Sequence, residues 1–411
     1  MLKKSLSTFF FILIACLSSL FSQMPGVFMD KGAKKVEIPF ERQGNFIIVK
    51  VIFEGLFPLR FILDTGAEHT ILTKKEIPRL LNIPYDRTIN LMGTDMKTQV
   101  VAHIIRKVNL QLPNIRLTKD ILVLEDDYFE FDKFAGLDVH GVIGAEAFRG
   151  YVLKFDFSKQ LITIYDPSVF HESDHRKYEE LPIQIIRSKP YLTAKAQILT
   201  DSVVELKLLL DTGAALSLLL HTYSTPGLAL PDRVIKGNIG TGLGGEIEGF
   251  VGRIRSLKIG SSQLINPISN FQELNTLADS SFLNARNGLI GGEILSRFNF
   301  IVDFAREKLF IQPNRYFKYK FNYDKSGLTL IAGGENLSVF TIHDVMPNSP
   351  AVDAGLIKGD EFVSINRIPT RFYSLGEMNR KFQAKTGKNY QITFLREGKK
   401  MKTKLKLRDL I

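Results

Sequence analysis

The chain has 411 residues, more than an ordinary domain of about 100–200 residues, so we expect two or three domains. Its 45% hydrophobic and 24% charged residues exclude an intrinsically disordered chain, and a formal net charge of +11 is mild for this length. The 31 Gly and 16 Pro residues predict many turns, which favours short strands over long helices.

The N-terminal residues predict export. Lys3 and Lys4 precede an apolar run at residues 9–15, and residues 1–22 have the pattern of a secretory signal peptide. Two processing routes remain open. The sequence LIAC resembles a bacterial lipobox, which would leave a lipid anchor on Cys16, whereas cleavage after Ser22 would release a soluble protein. We expect a periplasmic, cell-envelope or extracellular protein without disulfides, since Cys16 is the only cysteine.

An internal repeat dominates the middle of the chain. Residues 61–67 (FILDTGA) recur 147 positions later as residues 208–214 (LLLDTGA). The same offset relates three further pairs of segments: GT at 93–94 and 240–241, GVIG at 141–144 and GLIG at 288–291, FDF at 155–157 and VDF at 302–304. The sequence therefore predicts two homologous lobes, residues 30–166 and 178–313, with four extra residues of the second copy in a loop near residues 201–204.

Each copy has the composition of strands. Residues 46–53 and 160–165 are rich in branched and aromatic side chains, so each lobe is predicted to be all-β. The polar residues 166–180 between the lobes are typical of a connector. His171 and His175 have the spacing of metal ligands on one helical face, but no further ligand is placed around them. A solvated linker is therefore favoured, and no metal is expected.

The apolar strands that end in Asp-Thr-Gly-Ala resemble the catalytic strands of aspartic peptidases. Each lobe also carries two apolar residues followed by glycine, at residues 142–144 and 289–291, as in a retropepsin-like lobe. Two such lobes in one chain resemble the pepsin-like arrangement. The resemblance implies a mainly β, bilobal fold, a monomer in which both lobes share one site, and no cofactor.

The resemblance also assigns the residues of the two turns. It implies catalytic roles for Asp64 and Asp211, linking hydroxyls on Thr65 and Thr212, and close backbone approach at Gly66 and Gly213. Two carboxylates held together cannot both ionise, so they share one proton. The ionised member then takes a proton from water that attacks a peptide bond of a polypeptide substrate, while the protonated member hydrogen-bonds the carbonyl oxygen. Absence of the G-x-S-x-G and H-E-x-x-H motifs argues against serine and zinc hydrolases.

Two glycine-containing segments occupy the region where related lobes carry a flap over the substrate. These flap residues are Gly93 and Thr94 in the first lobe, and Gly240 and Thr241 in the second. Residues 240–245 also satisfy the dinucleotide-binding pattern G-x-G-x-x-G. The residues that follow have a strand pattern rather than a helical one, which favours a mobile flap.

The C-terminal residues 325–411 resemble a small α+β PDZ domain. The matching elements are NSPA at 348–351, AGL at 354–356, GD at 359–360 and IN at 365–366. By the resemblance, Gly327, Leu328, Thr329 and Leu330 would bind the C-terminus or an extended segment of a peptide. The usual G-L-G-F differs here at its third and fourth positions. Substrate recruitment, gating and structural bracing all remain open as roles.

Two basic segments raise the question of nucleic-acid binding. Residues 315–321 (RYFKYKF) and the alternating lysines at residues 400–406 both have the pattern of half-buried strands, the second at a sheet edge. Nucleic acid is therefore not an expected partner.

The sequence predicts an exported aspartic endopeptidase with a C-terminal PDZ domain. The alternative is a catalytically silent peptide-binding or sensor protein that uses the same fold. Retention of both aspartates favours the enzyme, because a binding role needs neither carboxylate.

Overall fold

The computed structural model describes residues 26–29, 32–95, 97–198, 203–273 and 286–411. The predicted signal peptide with Cys16 and the first two residues of the predicted extra loop at 201–204 lie outside these residues. The described chain is mainly β, which confirms the predicted fold class. Among the described residues, no helix is long and apolar enough to cross a membrane.

The first lobe is a sheet of nine strands, and three further strands of this half join a second sheet. The strands alternate buried and exposed residues where one face meets solvent, as along Lys35–Pro39. Strands of this half are β1 (Gly26–Met29), β2 (Lys35–Pro39), β3 (Glu41–Gln43), β4 (Phe46–Phe53), β5 (Phe57–Asp64), β6 (Ile71–Leu72), β7 (Arg87–Met92), β8 (Gln99–Leu112), β9 (Ile115–Leu124), β10 (Gly141–Gly144), β11 (Val152–Asp156) and β12 (Leu161–Tyr165).

The second half repeats this order of strands. The long hairpin of β8 and β9 corresponds to two shorter pairs, β18 with β21 and β19 with β20. Its strands are β13 (Glu179–Ile186), β14 (Lys189–Gln197), β15 (Val203–Leu210), β16 (Leu218–Thr222), β17 (Val234–Gly242), β18 (Gly245–Arg253), β19 (Ser256–Ile259), β20 (Ser262–Ile265), β21 (Ile268–Glu273), β22 (Gly288–Ile290), β23 (Phe298–Asp303) and β24 (Lys308–Pro313).

A layer of six strands joins the lobes, in the order β13-β24-β23-β11-β12-β2. At its centre β11 pairs antiparallel with its own repeat, β23, so that Phe155 lies opposite Phe300. These rings stack with centroids 4.5 Å apart. Asp156 and Asp303 end the two strands, and each accepts hydrogen bonds from the backbone of the next turn. The repeated D-F motif therefore belongs to the contact between the lobes.

Helices among the described residues are short, and several cover the ends of the sheets. They are α1 (Glu76–Leu80), α2 (Phe131–Ala135), α3 (Glu172–His175), α4 (Gly292–Leu295), α5 (Pro350–Asp353) and α6 (Leu375–Phe382), with 3₁₀ turns at Ala145–Phe148, Pro167–Val169 and Thr370–Phe372. The connector is more ordered than a solvated linker. Phe170 is buried, and the ring of His175 lies 4.2 Å from that of Phe310.

The C-terminal domain is a six-stranded sheet with its own hydrophobic core. Its edge strand β30 exposes the alternating lysines as predicted. The predicted strand at residues 315–321 is wrong, because this segment forms turns around Arg297. The Arg297 guanidinium donates to the carbonyls of Tyr316 and Tyr319 and lies 3.6 Å from the Phe321 ring centroid. Strands are β25 (Leu328–Gly333), β26 (Val339–Val345), β27 (Glu361–Ile365), β28 (Ile368–Pro369), β29 (Asn389–Arg396) and β30 (Lys399–Lys406).

Candidate active site

The two Asp-Thr-Gly turns meet at the boundary between the lobes. β5 ends at Asp64, and β15 ends one residue before Asp211. In each lobe a strand from the repeated G-x-I-G motif runs parallel to the strand that leads to the aspartate. β10 pairs with β5, with Gly144 opposite Asp64, and β22 pairs with β15, with Ile290 opposite Leu210. These neighbouring strands are buried, so each turn rests on a rigid layer.

Buried threonine hydroxyls join the turns across the lobe boundary. The Thr65 amide donates to Thr212 Oγ1 at 3.0 Å, and the Thr212 amide donates to Thr65 Oγ1 at 3.1 Å. The Thr65 hydroxyl also donates to the carbonyl of Leu210 at 2.6 Å, and that of Thr212 to Leu63 at 2.7 Å. Both threonines are fully shielded from water, so these bonds hold one turn firmly against the other.

Glycine follows each threonine because the opposite carboxyl group occupies the space of a side chain. A Cβ on Gly66 would overlap the carboxyl group of Asp211, and one on Gly213 would overlap that of Asp64. The amides of Gly66 and Ala67 donate to Asp64 Oδ1 at 2.7 and 3.0 Å. The Gly213 amide donates to Asp211 Oδ1 at 2.9 Å. The two carboxyl groups are thus held close together and fixed in orientation.

Burial raises the pKa of both carboxyl groups, but by different amounts. The pKa of Asp64 lies well above its usual value because of burial and then because of the charge of Asp211. Burial also raises the pKa of Asp211, while the charge of Arg286 opposes this rise. The two carboxyl groups therefore titrate as a pair, and sharing one proton avoids two adjacent buried charges.

A polar cluster beside Asp211 is absent from the sequence prediction. Arg286 lies two residues before β22, and burial together with its charge lowers the pKa of His221 to about 3. Comparison of the two copies of the repeat could have identified Arg286. The position in the first lobe that corresponds to Arg286 is Val139, which is buried in the core. A cation at the place of a core residue indicates a functional difference between the lobes.

Two hairpins, one from each lobe, meet at their tips. Gly93 and Thr94 lie in the turn after β7, and Gly240 and Thr241 lie in β17 just before its turn. The amide and the hydroxyl of Thr94 both donate to the carbonyl of Leu243, at 2.5 and 3.0 Å. The G-x-G-x-x-G pattern is therefore part of a hairpin, and the strand-turn-helix unit that dinucleotides require is missing here.

Residues of both hairpins pack against one group of buried side chains in the first lobe, which we call the apolar cluster. Its members include Phe46, Ile48, Ile62, Phe131, Val139 and Val142. Leu243 from the second hairpin packs against the apolar cluster, as do Ala67 and Ala215, which follow the two catalytic turns.

In the C-terminal domain β25 packs against α6, and the resemblance to PDZ domains implies a peptide groove between them. Gly327 precedes β25 with a φ of +76°, a conformation that favours glycine. The other three predicted peptide-binding residues lie on β25, at an edge of the sheet: Leu328, Thr329 and Leu330. Helix α2 of the first lobe packs against β25. A Cβ on Gly136 would lie 2.8 Å from Leu375 Cβ at the start of α6, so the first lobe covers this end of the groove.

The C-terminal domain also contacts the second hairpin. Glu246 at the start of β18 forms a 2.8 Å hydrogen bond with His343 Nε2. The ring of Phe134, in α2, meets the His343 ring edge-on at 5.2 Å. One side chain of this domain therefore contacts both lobes. Across the described ranges, no group of three or more His, Cys, Asp or Glu side chains could hold a metal ion.

Comparison with known proteins links the first lobe to aspartyl proteases. The model of the aspartyl protease family matches residues 49–147, which include Asp64 and residues 142–144. No curated protein sequence matches the chain. Among solved structures, the aspartic proteinase from Irpex lacteus is similar, at 12% sequence identity and a TM-score of 0.44. The match covers 70% of this chain and 100% of that chain.

Proposed function

We propose that this chain is an aspartic endopeptidase that hydrolyses peptide bonds in polypeptides. The observation that carries the proposal is the pairing of two buried carboxyl groups, Asp64 and Asp211, on turns that hold each other through their threonines. The match of the first lobe to the aspartyl protease family supports it. A purely structural role would not require two carboxyl groups at a site where burial penalises their charge.

The chemistry follows from the single shared proton. Asp211 takes a proton from water, and the water oxygen bonds to the carbonyl carbon of the substrate. Asp64 donates its proton to the carbonyl oxygen, where negative charge develops. The C–N bond then breaks as Asp211 gives its new proton to the leaving nitrogen and a hydroxyl of the intermediate returns a proton to Asp64, which restores the single shared proton. The second carboxyl group therefore replaces the metal ion or covalent nucleophile of other hydrolases.

The hairpins and the third domain suit a polypeptide substrate. The two hairpins meet at their tips, and Leu243 packs against the same apolar cluster as Ala67 and Ala215, which supports a role for the hairpins in covering an extended chain. We assign to the C-terminal domain the role of a PDZ domain that gates this site. Support comes from its contacts with both the second hairpin and α2. A peptide that entered the groove beside β25 would compete with α2.

Export and processing complete the proposal. The signal sequence at residues 1–22 directs the chain out of the cytoplasm, either as a lipoprotein anchored through Cys16 or as a soluble protein cleaved after Ser22. A single chain supplies both lobes, so the active form is a monomer.

The test is cleavage of a diverse peptide mixture from about pH 3 to 8, with products identified by mass spectrometry. We expect internal cleavage by the wild type and none by Asp64→Asn. The control is Asp232→Asn, an exposed aspartate of the second lobe, which should cleave like the wild type. A folded wild type that cleaves nothing at any pH would overturn the proposal and favour a peptide-binding protein.

A further inference from the structure

Buried polar atoms without a hydrogen-bond partner concentrate beside Asp211. Among the described residues, seven buried side-chain nitrogen or oxygen atoms lack a partner. Four of them belong to this region: Tyr191 OH, both ring nitrogens of His221, and Arg286 Nε. Such atoms are costly to bury, and native proteins usually satisfy them with protein, water or a ligand. Their concentration in one place indicates a site prepared for a polar group.

The backbone brings these three residues together. The amide of His221 donates to the carbonyl of Asn287, the neighbour of Arg286, at 2.8 Å. Tyr191 lies on β14 opposite Leu209 of β15. Leu209 in turn lies opposite Leu289 of β22, in the repeated motif at residues 288–291. The charge of Arg286 acts on both Tyr191 and Asp211, and the Tyr191 hydroxyl lies close to the Arg286 side chain without a well-aligned hydrogen bond to it. The cluster therefore lies in the second lobe, beside the catalytic carboxyl groups.

The first lobe lacks this cluster. Before the four extra residues of the second copy the offset of the repeat is 143, so Tyr191 corresponds to Ile48. After them the offset is 147, so Arg286 corresponds to Val139. Ile48 and Val139 are both buried members of the apolar cluster. His221 corresponds to Lys74, which is satisfied by Asp127 at 2.6 Å. At two of these three positions the first lobe thus has a buried apolar side chain where the second lobe has a polar side chain with an unpaired atom. Folding alone does not require the donors.

The charge balance of the cluster favours an anion. Lys189 lies within electrostatic reach of Arg286 and Asp211. Its remaining acidic neighbour, Glu68, already pairs with Arg187 at 2.9 Å. Asp211 and Asp64 together carry one negative charge when they share a proton. Two cations therefore face one negative charge, and a carboxylate from a ligand would restore the balance.

We propose that Arg286, Tyr191 and Lys189 form a subsite in the second lobe that binds a carboxylate of the substrate. The inference rests on the proposed peptidase function and adds a substrate class to it. The carboxylate belongs either to a Glu or Asp side chain near the scissile bond or to the C-terminus of the substrate.

Peptide pairs test the subsite. In one set, each peptide carries a single Glu at one of the three positions on either side of the scissile bond. The second set carries Gln at the same positions. Every peptide is made with a free and with an amidated C-terminus. We expect kcat/KM to be about 10- to 100-fold higher for Glu than for Gln at one position, the range of a buried charge-assisted hydrogen bond. Preference for the free C-terminus instead would identify the terminal carboxylate as the ligand.

Variants separate the subsite from a general effect on the catalytic pair. Arg286→Gln should abolish the carboxylate preference, and Tyr191→Phe, which removes only the unpaired hydroxyl, should weaken it. Lys258→Gln removes an exposed cation of the same lobe and should leave the preference unchanged. Equal loss of activity on Glu and Gln peptides in Arg286→Gln, with a shifted pH profile, would show that Arg286 only tunes Asp211, and would overturn the proposal.

A binding measurement distinguishes failure of the subsite from failure of the peptidase function. The Asp64→Asn variant, labelled Glu and Gln peptides and fluorescence anisotropy give the preference without turnover. Tighter binding of the Glu peptide would support the subsite even if the wild type cleaved nothing. Equal binding of the two peptides, with cleavage intact in the wild type, would refute the subsite alone.

Discussion

Asp64 and Asp211 occupy matching turns but differ in their electrostatic surroundings. Asp64 has only burial and the neighbouring carboxyl group to raise its pKa, whereas Arg286 opposes the rise at Asp211. Matching turns thus lie in unequal electrostatic surroundings, since the cation acts on Asp211.

The raised pKa of Asp64 predicts a pH-dependent gain of stability in Asp64→Asn. A carboxyl group whose folded pKa is raised contributes fully to stability below its unfolded pKa of about 3.9, and this contribution is lost as the pH rises through the folded pKa. Asparagine resembles the protonated form at every pH. The Tm of Asp64→Asn should therefore exceed that of the wild type by about 1–3 °C near pH 7 and match it near pH 3. An equal Tm at both pH values would contradict the raised pKa.

The threonine contacts predict a loss of stability in Thr65→Val. Valine would leave the Thr212 amide and the Leu210 carbonyl without their buried partner, at a cost of about 1–3 kcal/mol each. The free energy of unfolding, from urea titration, should fall by about 2–4 kcal/mol. Thr65→Ser keeps the hydroxyl and should lose less than half as much. Similar losses in both variants would show that packing of the methyl group, rather than hydrogen bonding, stabilises the turns.

The sequence identified the two Asp-Thr-Gly turns that the structure brings together, but not the residues around them. The repeated D-T-G motif located Asp64 and Asp211 because each step of the turn demands a particular residue, as the absent Cβ of Gly66 shows. Arg286 has no motif around it. Arg286 opposes the rise in the pKa of Asp211 because the fold brings the residues before β22 close to that carboxyl group. In the sequence, only comparison with Val139 in the first copy marks Arg286 as unusual.

At the level of elements, the two hairpins depend on close contact at their tips. A Cβ on Gly242 would overlap the side-chain oxygen of Thr94, Oγ1. The other bond between the tips, from the Thr94 amide to the carbonyl of Leu243, does not involve the Thr94 side chain. Gly242→Ala should therefore separate the tips and raise KM for peptides, as measured by initial rates. The double variant Gly242→Ala with Thr94→Ala removes the overlapping atom and should restore KM. Failure of this rescue would show that the tip contact does not control access to the site.

Sequence predicted elements well where a repeat or an alternating pattern constrained them. The lysines of β30 alternate outward, and the strands of the lobes follow their apolar residues. Residues 315–321 have the same alternation but form turns, since Arg297 binds their carbonyls from a distant helix end. Local pattern cannot reveal such a tertiary contact. The role of the D-F motif in joining the lobes likewise emerged only from strand pairing.

In the whole molecule, His343 connects the C-terminal domain to the second hairpin. An exposed pair of this kind is worth about 0.2–1 kcal/mol, which corresponds to at most about a five-fold change in an equilibrium. If the domain restrains the hairpin, His343→Ala should increase kcat/KM for short peptides by up to about five-fold. The neighbouring Asp344→Ala, at an exposed position, serves as the control. Unchanged kinetics in His343→Ala would separate the domain from control of the site.

If one chain builds one catalytic site from its two lobes, two inactive variants cannot restore activity to each other. Asp64→Asn and Asp211→Asn are assayed alone and together, at several concentrations, against a peptide that the wild type cleaves. We expect no activity from either variant or from the mixture, because every chain lacks one carboxyl group of its own pair. Activity that appears on mixing and rises with concentration would instead show that the site forms between two chains.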